Sequence, residues 1–129
     1  MANGFPFTTG AVLSATNMNG LTAFTVGSDQ TADYTAVLAD QYQALIPMNK
    51  ATAVVFKIPT NASVAYPVGT VLTVLNKGAG AVTISAVTSG TTTVLSAGAV
   101  AASPTLAQYK TAACIKTATD TWYVVGAIA

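Results

Sequence analysis

From Tyr34 onward, short apolar runs return about every ten residues, separated by clusters of Gly, Pro, Ser, Thr, Asn and Asp. The runs are "YTAVL", "YQALIPM", "AVVFKI", "TVLTVLN", "AVTISAV", "TTTVL", "AACIKT" and "WYVVGAI", rich in β-branched and aromatic residues. This spacing predicts an all-β domain, a compact antiparallel β-sandwich or barrel over residues 31–129. Alternation inside the runs agrees. In "AVVFKIP", Val54, Phe56 and Ile58 fall on one face and Val55 and Lys57 on the other, because successive strand residues point oppositely. Pro59, which has no N–H to donate, ends the pairing.

Turn chemistry predicts how the strands join. "KGAG" at 77–80 separates two apolar runs, and Gly78 and Gly80 tolerate positive φ, so the expectation there is a hairpin. "PVGT" at 67–70 supplies a turn before the next strand, and "TATDT" at 117–121 joins the last two strands around Asp120. One segment competes for helix. In "TADYTAVLADQYQAL", residues 31–45, Tyr34, Val37, Leu38, Gln41, Tyr42 and Leu45 fall at helical spacing. Residues 1–30, rich in Asn, Gly, Thr and Ala, sustain no period and read as an extended N-terminal arm, with short strands around Leu13 and Phe24. No internal repeat is evident along the chain.

Charge changes the picture most. Of 129 residues, 52% are hydrophobic and 7% charged, against a usual charged share of about 25%. Arg, His and Glu are absent; Lys50, Lys57, Lys77, Lys110, Lys116, Asp29, Asp33, Asp40 and Asp120 are the whole ionic complement, with net charge +1. A surface so poor in charge fits a chain whose exterior meets other protein subunits, since a monomer near zero net charge is prone to associate. Polar Thr, Ser, Asn and Gln offer the alternative of a soluble monomer. The charge balance gives no footprint for nucleic acid. Every apolar run is interrupted well before the roughly 18 residues a spanning helix needs, which predicts no membrane residence. The start "MANGFPFTTG" lacks the basic and apolar regions of a secretory signal. The single cysteine, Cys114, reads as a buried small hydrophobe made in a reducing compartment.

Candidate chemistry is sparse. Ser–His and Cys–His mechanisms need a base this chain does not have. The four Asp residues read as turn and cap groups rather than a hydrolytic pair. "DQTAD" at 29–33 lacks the Gly turn and Glu of a calcium loop, "GAGAVT" lacks the Lys-Ser or Lys-Thr of a phosphate loop, and "NAS" at 61–63 is a short match to a glycosylation acceptor. The chain therefore reads as noncatalytic, with no cofactor and no metal. Trp122 and Tyr123 face opposite sides of the last strand, which predicts Trp122 in the core and Tyr123 at a subunit contact.

The stretches "YTAVLADQYQALIPMN", "VVFKIP", "NASVAYPVGTVLTVLNKGAGAVTI" and "YKTAACIKTATDTWYVVG" together resemble a recurrent β-rich module of tailed-bacteriophage virion proteins, found in head-associated proteins and tail-fibre segments. The resemblance covers residues 31–126 and is most specific at Pro67, Val68, Gly69 and Thr70, at Gly78 and Gly80 with Val82, Thr83 and Ile84, and at Thr121 and Trp122. The ending "GAIA" departs from it, and residues 1–30 lie outside it. It implies a noncatalytic structural protein of the virion. A free-standing unit without shaft repeats looks more like a capsid decoration (cement) protein on the outer surface of the head than a fibre. A tail-fibre or receptor-binding appendage, glycan-directed, is the alternative. The major capsid protein is then the expected partner, and a homo-oligomer, a trimer about local threefold axes, the expected state. Phe5, Pro6 and Phe7 in the arm, with Tyr123, are the candidate interface residues.

Overall fold

The computed structural model describes residues 24–96 and 103–128. They form ten strands: β1 (Thr25–Val26), β2 (Tyr34–Thr35), β3 (Gln43–Met48), β4 (Val54–Ile58), β5 (Val71–Asn76), β6 (Val82–Ala86), β7 (Thr93–Ser96), β8 (Thr105–Leu106), β9 (Thr111–Ala118) and β10 (Thr121–Gly126). Two sheets pack face to face, one of six strands in the order β1-β3-β5-β9-β10-β7 and one of four in the order β2-β4-β6-β8. The fold is an all-β sandwich, as the run spacing predicts. The segment that competes for helix resolves into β2, a five-residue 3-10 helix (Leu38–Tyr42) and β3.

The sheets are mixed rather than antiparallel, which corrects the sequence expectation. β1, β3 and β5 run parallel to one another, as do β2, β4 and β6, because the chain alternates between the sheets at every step from β1 to β6. It winds as a coil, and one turn is measured by the register: Ile46 lies opposite Val74, and Val54 opposite Val82, twenty-eight residues later in both cases. Antiparallel pairing enters with β8 on β6, β9 on β5, and β10 on β9. The last of these is the hairpin predicted at Asp120.

The predicted hairpin at 77–80 is a corner between sheets instead. Asn76, fully buried, turns inward at the end of β5; its Nδ2 donates to the carbonyls of Gly80 (2.8 Å) and Leu106 (2.9 Å), and its Oδ1 accepts from the Gly78 N–H (3.0 Å). This bends the chain away from its own sheet. Neither Gly78 nor Gly80 has positive φ. They are needed for close approach: a Cβ on Gly78 would overlap the Lys50 backbone and one on Gly80 the Thr52 carbonyl, each in the corner of the preceding coil. Gly69, with φ 97°, does serve the predicted turn at 67–70, where Thr70 N–H donates to Pro67 O (3.1 Å). Pro47 sits inside β3 with its missing N–H on the side of residues 27–30, where its carbonyl accepts the Gln30 N–H (2.9 Å), so its place opposite Leu75 of β5 is kept.

The core fills the space between the sheets with Phe56, Trp122, Met48, Leu72, Ile84 and Leu106 among others, all at most 1% exposed. Cys114 is buried among them. Tyr66 meets Trp122 edge to face at 5.6 Å and 87°. Asp40 closes one side of the core, accepting from Tyr34 Oη (2.7 Å) and from the Val37 N–H (2.9 Å), while Tyr66 Oη donates to the Val37 carbonyl.

Candidate functional site

All nine ionic side chains fall within the described residues, and the fold sorts them by place. The parallel strands bring the corners β1–β2, β3–β4 and β5–β6 to one end of the sandwich, and the β8–β9 connection joins them there. Asp29, Asp33, Lys50, Lys77 and Lys110 all lie in those corners. Lys77 Nζ pairs with Asp29 (2.9 Å to each oxygen), Asn49 Nδ2 donates to Asp29 Oδ2 (3.0 Å), and Asp33 Oδ1 accepts the Val55 N–H (3.0 Å). Three successive corners are thus tied through one carboxylate. Hydrogen bonds to Lys77 and Asn49 hold the Asp29 carboxyl below its usual range.

Lys57 is the one ion on a sheet face, that of the four-stranded sheet. There the outward rows are polar apart from Val55, reading Thr35–Lys57–Ser85 and Val55–Thr83–Thr105. Asp40, Lys116 and Asp120 turn inward.

The outer face of the six-stranded sheet carries no ion. Its cross-strand rows read Val71–Ile115–Tyr123–Leu95, Thr73–Ala113–Val125 and Pro47–Leu75–Thr111. Val71, Tyr123 and Val125 stand out most, at 44%, 45% and 42% exposed. At the β3–β5 side the face runs into a shallow groove of about 400 Å³ lined by Phe24, Gln41, Gln43, Ala44, Gly69, Thr70, Val71 and Thr73. Those groups offer apolar contact and amide hydrogen bonds but no base, acid or strong nucleophile. Among the described residues no three His, Cys, Asp or Glu side chains gather as a metal site.

Of the candidate interface residues, Tyr123 lies on this face, one strand in from the β7 edge, with Trp122 turned into the core as its alternation requires. Phe5, Pro6 and Phe7 lie outside the described residues. Val71, Ile115, Leu95 and Val125, which complete the face, were not singled out from sequence. The signal was present in "TVLTV", "AACI" and "WYVVG": where both alternating sets of a strand are apolar or Thr, neither face is designed for water alone.

A second cluster was missed as well. Lys116, 2% exposed, projects inward from β9 beside Trp122, its register partner on β10. Its Nζ donates to Asn61 Oδ1 (2.6 Å) and to the Tyr66 carbonyl (2.7 Å). Asp120 Oδ1 accepts the Asn61 backbone N–H (2.8 Å) and the Thr92 hydroxyl (3.1 Å). Burial lowers the Lys116 pKa, with the charge of Asp120 opposing. Parity was the available signal, since Ala112, Cys114 and Lys116 share one face and Cys114 reads as buried. Comparison with protein-family models, with curated proteins and with solved structures returned no match.

Proposed function

We propose that this protein is a noncatalytic structural subunit that docks on a protein shell through the outer face of its six-stranded sheet. The single observation that carries the reading is the segregation of charge: ions at one end, a polar face on the four-stranded sheet, and a broad uncharged face opposite it. An interface core is depleted of ions because a charge buried without a partner costs several kcal/mol. A face of Thr, Val, Ile, Leu and Tyr strands no ion when covered, and the ionic end keeps the exposed part wet.

Joined to the resemblance to tailed-bacteriophage virion proteins, this makes a capsid decoration protein the reading best supported, bound to the outer surface of the head with the major capsid protein as partner. Many shared contacts would then stabilise the shell by mass action. The test is to mix purified protein with expanded, undecorated phage heads. Stoichiometric uptake with raised heat resistance of the heads is the expected result, and heads that sediment bare at saturating protein reject it. The groove favours a second reading, an appendage module that takes a glycan, since Phe24 and the amides of Gln41 and Gln43 suit a sugar's apolar face and hydroxyls. A multivalently displayed protein that stays silent on a glycan array removes that reading.

A further inference from the structure

We propose that Lys116 and Asn61 form an intramolecular isopeptide bond, Nζ to Cγ, that ties β9 to the loop crossing from β4 to β5. The two side chains are placed for it. Lys116 Nζ lies 2.6 Å from Asn61 Oδ1, and the amide carbon is one C=O bond, about 1.23 Å, beyond that oxygen. A shift of the flexible lysine stem carries the amine from the in-plane position of a hydrogen bond to a position above the amide plane, within the roughly 3–3.5 Å of a near-attack arrangement.

The surroundings favour reaction over solvation. Lys116 is 2% exposed, and no carboxylate pairs with it: among the described residues Lys77–Asp29 is the one ion pair. Burial outweighs the opposing charge of Asp120, so the amine loses its proton more readily than an exposed lysine, which frees the lone pair for attack. The loop is fixed as well. Asp120 holds the Asn61 N–H, and the Lys116 backbone pairs with the 67–70 turn, its N–H to Thr70 O (2.9 Å) and its carbonyl to the Gly69 N–H (2.8 Å). Asp120 is thus a positioning residue: it grips the backbone of the reacting asparagine rather than the reacting atoms.

The reaction balances without a co-reactant. The neutral Lys116 amine attacks Asn61 Cγ; the new Nζ–Cγ bond forms, the Cγ–Nδ2 bond breaks, and a proton from Nζ passes to Nδ2, which leaves as ammonia. Nothing is oxidised or reduced. The product is a secondary amide that removes a buried charge and closes a covalent loop from residue 61 to residue 116.

The experiment is intact-mass measurement of the full chain, fresh and after prolonged incubation, followed by peptide mapping with fragmentation. The expected result is a mass below that of the sequence by one ammonia molecule, absent in Lys116→Met and Asn61→Ala, with a branched peptide joining residues 61 and 116. Full sequence mass after incubation, with both peptides recovered unlinked, overturns it. So does an ammonia loss that maps to a cyclic imide at Asn61 alone, or conversion of Asn61 to an acid. The wild-type chain gives the deciding reading, so the proposal stands or falls even where a variant does not fold.

Discussion

The buried polar residues carry the sharpest consequences. Asn76 meets three main-chain groups at once, and replacing it by alanine removes all three hydrogen bonds from a fully buried site, leaving the Gly78 N–H only its 3.4 Å contact with the Met48 carbonyl. Asn76→Ala should lower stability by about 2–4 kcal/mol, read from the denaturant midpoint, since each stranded group costs about 1–3 kcal/mol. Cys114 sets a pH dependence. Burial pushes its thiol from 9.0 up to about 12, so between those values the unfolded chain releases a proton that the folded chain keeps, and folding stability falls as pH rises. Tyr34 and Tyr66, raised chiefly by burial, act in the same direction, whereas Lys116 that is still a free amine, its pKa lowered by burial, adds stability as pH climbs toward 10.5. The melting temperature should therefore decline above pH 9.0, and Cys114→Ala should make that decline shallower. A thiol reagent should leave Cys114 unmodified at neutral pH until the chain unfolds. Cysteine burial was legible from its apolar run. The burial of Lys116 was not, because the rule that ions stay outside outweighed the parity of its strand, and the Asn61 oxygen that accepts from it lies fifty-five residues away.

Strands were legible and their connections were not. The apolar runs of "AVVFKI", "TVLTVLN", "AACIKT" and "WYVVG" locate β4, β5, β9 and β10 closely, since period-2 burial writes itself into sequence. A Gly-rich tetrapeptide does not say whether the chain reverses within a sheet or crosses to the next one. That choice rests on Asn76 turning inward and on the backbone of the preceding coil. The coil itself left one faint trace: "ATAVVF" at 51–56 and "AGAVTI" at 79–84 occupy equivalent corners and share Ala, Ala and Val at matching positions. Because the corners stack backbone to backbone, Gly80→Ala would drive a methyl into the Thr52 carbonyl, which no side-chain rotation can relieve. A loss of about 2–4 kcal/mol is expected, at or above the upper range for overpacking. Ala79→Ser, exposed in the same corner, should change the midpoint little. A tolerant Gly80→Ala would mean that the corners do not stack this closely.

At the scale of the whole molecule, the two faces of the sandwich make opposite predictions for the same substitution. Ile115 and Tyr123 lie at the middle of the longest uncharged row, flanked by Val71 and Leu95, so a lysine at either position meets no carboxylate on its own face. In the free protein that lysine reaches water, and stability should move by no more than about 0.5–1 kcal/mol. In a docked complex it is desolvated against an apolar partner at a cost of about 3–5 kcal/mol, which is a loss of affinity of roughly 100- to 4,000-fold at 1.4 kcal/mol per tenfold. Ile115→Lys and Tyr123→Lys should therefore melt close to wild type yet fail to bind undecorated heads, measured by co-sedimentation. Thr83→Lys, in a row of the four-stranded sheet that already neighbours Lys57, should bind as wild type does. If instead Thr83→Lys abolishes uptake and Tyr123→Lys does not, the docking surface is the polar face, and the charge segregation reflects the solubility of that end alone. Added salt discriminates further: a contact without ions should weaken little between low and high ionic strength, whereas docking through the Lys50, Lys77 and Lys110 end would weaken steeply as those charges are screened.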